Sequence, residues 1–426
     1  LLWVLLNFFL RDKVKSGLVT TVFALFFFSY GHLFDLFKKW QISFIKHEYM
    51  IPAAVVIWGV IFFFVKGVKN RKTLAVLTKI FNTAGVVLIA VNLFGILSYK
   101  FSKHMTPFQD EAISSHGQME SHSLPDIYYI ILDEFANLRT VKKIYDYDNS
   151  RFADSLAGRG FYISKFSQTT YSSTEWSLAA SLNMNFLGED DDPFPMIEHN
   201  RVVDFLKKKG YRFIHFANYH KSTKCMKGAD VYFNFYEKNA HACLLGDFYM
   251  ILLNTTMLRP LYQYFFDKYY SGYNRGAILS TFSQLEKVPG MRIPKFVFAH
   301  IMCPHEPFVF GSSGEKINKK YRDDWKTRHV YLGQYLFTCK RALHLIDVLL
   351  GKSKNPPIII LQSDHGPRTR KARGAFFGDE WKWIFNAYYL PADGRKILYD
   401  SISPVNTFRL IFNHYFNTHY DLIKER

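Results

Sequence analysis

The chain has 426 residues, 49% hydrophobic and 18% aromatic, with 54 Lys and Arg against 36 Asp and Glu and a formal net charge of +18. This length accommodates one large domain plus membrane segments. The positive charge is dispersed, without an RNP, zinc-finger or helix-turn-helix pattern, which argues against nucleic acid as a partner and suits an anionic lipid surface.

Residues 1–10 read as the tail of an apolar segment, and residues 17–34, 49–65 and 81–99 are each long enough to cross a hydrocarbon core of ~30 Å. Leu1 is not an initiator Met, so the sequence reads as a fragment whose earlier spans are missing. Arg11, Lys13 and Lys15 follow the first stub, and Lys66, Lys69, Arg71, Lys72 and Lys79 lie between the second and third full spans. Both loops are therefore expected on the cytoplasmic side, and the chain is expected to leave the membrane at Tyr99 on the outer side. Residues 1–99 thus form a transmembrane region. Residues 100–124, polar and without periodicity, form a linker, and 125–426 an outer domain.

The outer domain begins with the apolar run Ile127-Tyr128-Tyr129-Ile130-Ile131-Leu132, which ends on Asp133. A helix over 152–156 closed by Gly158 and Gly160, a strand over 161–166, helices over 174–184 and 202–209, and a strand over 211–216 follow. Strands over 295–302 and 357–362 flank a helix over 331–350. Ser403-Pro404 then opens a helix over 405–416, with Ser as cap and Pro in the first turn. Strands alternating with helices predict an α/β fold, a doubly wound and mainly parallel sheet covered on both faces. The four cysteines, Cys225, Cys243, Cys303 and Cys339, fall in the region where disulfides are permitted, with Cys225–Cys243 a plausible bridge and free buried thiols the alternative.

Chemistry concentrates where these strands end. Pro356-Pro357-Ile358-Ile359-Ile360-Leu361-Gln362 runs into Ser363-Asp364-His365-Gly366, and ligand-binding residues of open α/β sheets gather beyond the carboxyl ends of strands. Asp133, Asp364 and His365 supply oxygen and nitrogen donors suited to manganese, zinc or magnesium. Glu134 is an alternative to Asp133, which strand alternation favours. Thr174 opens a helix in Ser172-Ser173-Thr174-Glu175-Trp176-Ser177, where backbone N–H groups favour an alkoxide or an incoming phosphate, although a plain helix cap explains the same residue. Arg368, Arg370, Lys371 and Arg373 follow the Asp-His pair and suit an anionic phosphate or a solvated basic loop.

The order strand-Asp133, helix-start Thr174, Pro304-His305-Glu306-Pro307-Phe308 and Ser363-Asp364-His365-Gly366 resembles the alkaline phosphatase and sulfatase superfamily. Within it, the chain is similar to membrane-anchored lipoteichoic acid synthases and phosphoethanolamine transferases. The resemblance implies an alkaline phosphatase-like fold behind transmembrane helices. It also implies one divalent metal, manganese or zinc, on Asp133, Thr174, Asp364 and His365. Thr174 would be the nucleophile, and His305 would bind a phosphate oxygen or assist proton transfer. Substrate phosphate would meet His305, Arg368 and Arg370. The implied donor is a membrane phospholipid, the acceptor an envelope glycan or lipid, and the location the bacterial cytoplasmic membrane, multi-pass, with the catalytic domain periplasmic or extracellular. Thr174-Glu175-Trp176-Ser177-Leu178 departs from the Cys/Ser-x-Pro-x-Arg context of sulfatases, and no His occurs between His365 and His414, which leaves a second metal site incomplete. A sulfatase-like hydrolase and a non-catalytic envelope assembly protein are the alternatives.

Overall fold

The computed structural model describes residues 1–40, 46–102, 124–235, 253–291, 293–321, 328–367 and 379–424. The chain divides into two units, Leu1–Ala112 with Leu244–Lys268, and Ile113–Cys243 with Tyr269–Arg426.

The first unit is helical: α1 (Leu2–Leu10), α2 (Lys13–Lys39), α3 (His47–Gly67) and α4 (Arg71–Ser102). Helices α2 and α3 are long and apolar enough to cross a membrane by length and composition. The third expected span falls within α4, which is not one of the two, and the side chains from residue 88 onward lie outside the described residues. A segment of the same unit crosses α2 at Gly31, where an added Cβ would stand 2.0 Å from the Asn254 carbonyl oxygen, so only glycine fits the crossing. Arg259 fixes the segment there, donating to the Gly31 carbonyl at 3.1 Å and to the Asp35 carboxylate at 2.8 Å.

The second unit is built on a seven-stranded sheet of order β2-β7-β6-β1-β5-β3-β4. The strands are β1 (Ile127–Leu132), β2 (Tyr162–Ile163), β3 (Arg212–Phe216), β4 (Val231–Phe233), β5 (Lys295–Ile301), β6 (Ile358–Gln362) and β7 (Asn386–Tyr389). The five from β6 to β4 are parallel, while at one edge β7 runs antiparallel to β6 and β2 antiparallel to β7. The doubly wound, mainly parallel sheet expected from the sequence is therefore present.

The apolar runs explain the layering. Alternate residues of a strand face opposite sides, and in β1 Tyr128, Ile130 and Leu132 join one core while Ile127, Tyr129 and Ile131 join the other. The first core is covered by α5 (Leu138–Tyr145), α6 (Ser150–Gly158), the end of α10 (Arg259–Leu285) and α11 (Arg328–Lys352). The second is covered by α7 (Thr174–Asn183), α9 (Arg201–Lys208) and α12 (Pro404–Phe416), with α8 (Pro193–Glu198) beside α7. In α12, Phe408, Phe412 and Phe416 recur at helical spacing on the sheet side, and Phe412 stacks on Phe205 at a centroid separation of 4.2 Å. Burying each such ring contributes about 1.5–3 kcal/mol.

Register carries this alternation to the strand ends. Ile131 lies opposite both Gln362 of β6 and His300 of β5. Two residues beyond Ile131 is Asp133 and two beyond Gln362 is Asp364, so both carboxylates emerge side by side on the face covered by α7. At the opposite ends of β1 and β5, the buried Lys295 Nζ meets the half-buried Asp126 Oδ2 at 2.6 Å, a pair that ties the two strands together.

The strand expected over 161–166 shortens to the two residues of β2. Cys303 and Cys339 are buried thiols; the bridge expected between Cys225 and Cys243 involves a residue outside the described ones. Most of the expected linker, and the basic stretch containing Arg368, Arg370, Lys371 and Arg373, lie outside them as well.

Candidate active site

Asp133, Thr174, Asp364 and His365 converge at the carboxyl ends of β1 and β6, all at most 2% exposed. One donor atom from each of Asp133, Asp364 and His365 lies within 4.8 Å of the others, a group able to hold a metal ion. The Asp364 carboxylate is the hub. Its Oδ1 accepts the Glu134 backbone N–H at 3.1 Å, and its Oδ2 accepts the Thr174 hydroxyl at 2.7 Å. The Ser177 hydroxyl, one turn further along α7, donates to the Asp364 carbonyl at 2.6 Å and fixes that helix against the β6 end.

Thr174 is not the cap of its helix. Ser173 occupies the N-cap position without a side-chain cap bond, and Thr174 is the first helical residue. Its hydroxyl also lies 3.4 Å from His365 Nε2. On the other side of that ring, Nδ1 is 2.9 Å from the Gly366 carbonyl, an acceptor only, so Nδ1 carries a hydrogen and Nε2 is the nitrogen presented to the site. Burial pulls the His365 pKa down, but Asp364, then Glu134 and Asp133, more than offset this and raise it above the usual imidazole value. The glycine of Asp-His-Gly is required by a backbone crossing: a Cβ on Gly366 would stand 2.3 Å from the Glu380 carbonyl oxygen.

Asp133 is fully buried, which by itself pushes its pKa up; the neighbouring imidazoles of His305, His300 and His365, with the His300 contact, outweigh that and hold it below the usual carboxylate value. Neither of its oxygens has an aligned hydrogen-bond partner among the described residues, although Oδ2 lies 3.2 Å from His300 Nε2. Glu134 follows in the left-handed region at φ 55°, held by its N–H on Asp364 and by the Tyr331 hydroxyl, which donates to its carbonyl at 2.7 Å. This turn sends the Glu134 side chain toward His305, with Oε1 3.9 Å from Nε2. His305 is tied in through its N–H, which donates to the Asp133 carbonyl at 3.2 Å, and its Nδ1 faces the Glu306 carbonyl.

The structure therefore brings five of the expected residues together: Asp133, Thr174, Asp364, His365 and, at the rim, His305. His300 was not expected. It sits inside an apolar strand, where a lone His gives no local signal, and only the register that puts it opposite Ile131 and on the Asp133 face exposes it.

A protein-family model described as Sulfatase matches residues 125–408. No curated protein matches the chain. Among solved structures, the C-terminal periplasmic domain of EcEptC from Escherichia coli, in complex with Zn, is similar at 11% identity over 71% of this chain and 84% of that one, with a TM-score of 0.46. The integral membrane lipooligosaccharide phosphoethanolamine transferase A from Neisseria meningitidis is similar at 13% identity over 86% and 69%, with a TM-score of 0.44. The 2-O GAG sulfatase BT1596 is similar at 12% identity over 70% and 71%, with a TM-score of 0.40. The match to the family model takes in all seven strands, the Thr174 helix start and the Asp364-His365 pair, and on that extent the chain belongs to the sulfatase family of the alkaline phosphatase superfamily.

Proposed function

We propose that the protein transfers a phosphoethanolamine or phosphoglycerol headgroup from a membrane phospholipid to an envelope glycan or lipid, with Thr174 carrying the phosphoryl group between them. The observation that carries this reading is the Thr174 hydroxyl, buried at a helix start and donating to Asp364 Oδ2 at 2.7 Å. The sequence around Thr174 lacks the Cys/Ser-x-Pro-x-Arg context of sulfate-ester cleavage, which favours phosphoryl over sulfuryl chemistry. Two helices able to cross a membrane, α2 and α3, suit a lipid donor; an outer catalytic domain over 125–426, joined through the linker 100–124 to a multi-pass region, is part of the same proposal.

The donor set fits a divalent cation. It offers two carboxylates and an imidazole nitrogen, and the Asp133 oxygens are buried without an aligned hydrogen bond among the described residues. Asp133, Thr174, Asp364 and His365 would hold manganese or zinc. When bound, such an ion lowers the pKa of a hydroxyl and polarises a phosphoryl oxygen.

The chain's own groups then divide the work. Thr174 Oγ1 attacks phosphorus in line while its proton passes to Asp364 Oδ2, and a phosphothreonine forms as the bond from phosphorus to the diacylglycerol oxygen breaks. His305, at the rim, protonates the departing oxygen. In the second half, His305 takes the proton of the acceptor hydroxyl as that oxygen attacks phosphorus, and the proton on Asp364 returns to the departing Thr174. Arg368 and Arg370 are assigned to neutralising the phosphate charge.

The test incubates the full chain with labelled phosphatidylethanolamine or phosphatidylglycerol. Diacylglycerol release together with a phosphorylated Thr174 by mass spectrometry is the expected result. Release of neither product from either lipid, with cleavage of a soluble sulfate ester instead, overturns it.

A further inference from the structure

His300 is the one fully buried imidazole beside the site, among the described residues, to which the chemistry above assigns no work. Its neighbours fix which nitrogen bears hydrogen. The Asn218 side-chain amide donates to the His300 carbonyl at 2.7 Å and lies 3.2 Å from Nδ1, while the Thr223 hydroxyl lies 2.8 Å from the same Nδ1. The Asn218 oxygen is already satisfied by the His220 N–H at 2.8 Å, so the single hydrogen of the Thr223 hydroxyl, 3.0 Å from that oxygen, is free to donate to Nδ1. Nδ1 faces the Asn218 amide N–H, a donor only, and Nε2 lies 3.2 Å from Asp133 Oδ2, an acceptor only, so in the neutral ring the hydrogen sits on Nε2.

The loop that sets this tautomer is itself locked from the sheet. His215 of β3 is fully buried, and burial holds its pKa down at about 4, so it is neutral. Its Nε2 donates to the Thr223 carbonyl at 2.8 Å. His215, Thr223, His300 and Asp133 form one line of contacts from β3 across β5 to the end of β1. At its last link, His300 Nε2 and both Asp133 oxygens are buried without an aligned hydrogen bond among the described residues. Such atoms, held in contact range but not satisfied, mark a place where something else completes the set.

We propose that His300 is a positioning residue: its Nε2–H, directed by Asn218 and Thr223, holds the Asp133 carboxylate in the rotation that presents it to the ion shared with Asp364 and His365. This inference rests on the functional reading above. Removing a partner that orients a metal ligand costs on the order of 10–100-fold in metal affinity.

The test compares the full chain with its His300→Phe, His300→Gln and Thr223→Val variants, reading manganese and zinc affinity by chelator competition, and kcat and KM on a chromogenic phosphodiester. Expected are a loss of about 10–100-fold in affinity for His300→Phe, a fall in kcat at saturating metal with little change in KM, and substantial recovery in His300→Gln, which keeps an N–H donor. Thr223→Val, nearly isosteric and carrying the argument if His300→Phe fails to fold, is expected to weaken the metal several-fold. Wild-type affinity in His300→Phe, no recovery in a folded His300→Gln, or an unaltered Thr223→Val where it alone is measurable overturns the inference while leaving the functional reading standing. A wild-type chain that binds neither metal overturns both.

Discussion

Helices α5 and α7 begin in different ways, although both start just behind a strand end of the same sheet. At α5 the Asn137 side chain accepts the Thr140 N–H at 2.8 Å, as a capping residue ordinarily does, and α9 repeats the device with Asn200 and the Val203 N–H at 2.9 Å. At α7 the cap residue Ser173 makes no such bond, and the hydroxyl that follows it is turned onto the Asp364 carboxylate. A cap contributes about 1 kcal/mol. The α7 start forgoes that and keeps its first N–H groups and a hydroxyl beside two acids and an imidazole. On the proposed function, one helix start serves stability and the other serves chemistry.

The contrast breaks most sharply at Asp364. Asp364→Ala removes a metal donor and the acceptor of the Thr174 proton together, so bound metal and headgroup transfer are expected to fall to background, checked by elemental analysis and diacylglycerol release. Retained metal at wild-type stoichiometry would place the ion elsewhere. Next comes Thr174→Ala, expected to lower kcat on the order of a thousandfold or more while thermal unfolding keeps a single native transition. If that variant turned over at a near-normal rate, the α7 start would be no different in kind from the α5 start.

Smaller effects sharpen the other side. Asn137→Ala is expected to destabilise the unit built on the seven-stranded sheet by about 1 kcal/mol, seen in denaturant unfolding, with turnover per folded molecule unchanged. Ser173→Ala, which removes a hydroxyl that caps nothing, is expected to shift stability by less than about 0.5 kcal/mol. A loss equal to that of Asn137→Ala would show that Ser173 caps the helix in solution after all.

Legibility from sequence follows the size of the local signal. Strands β1 and β6 are visible as unbroken apolar runs because both faces of an interior parallel strand are buried. Their terminal acids stand out against that background. The edge strands are harder: β2 is two residues long and pairs only with β7, and β4 has three residues that are all partly exposed, so neither carries a pattern longer than a turn. Thr174 is singled out by its place at a helix start, whereas the turn of its hydroxyl onto Asp364 is a matter of side-chain rotation that no spacing encodes. His300 is hidden for the opposite reason. Its role depends on pairing with Ile131, 169 residues earlier in the chain, and on Asn218 and Thr223, residues from a loop with no motif of its own.

The Lys295–Asp126 pair gives strand β1 the character of a ruler. That pair fixes one end of β1 against β5, and Asp133 is read off at the other end by counting residues. One residue inserted between them would rotate Asp133 into the layer of α5 and α11, away from Thr174, and two would restore the face but carry the carboxylate about 6.6 Å too far. Between Asp126 and Asp133 the chain is thus free to exchange one apolar side chain for another but not to change in length. Natural variation in this stretch should consist of substitutions without insertions or deletions, whereas the connections at the amino ends of the strands are free to lengthen.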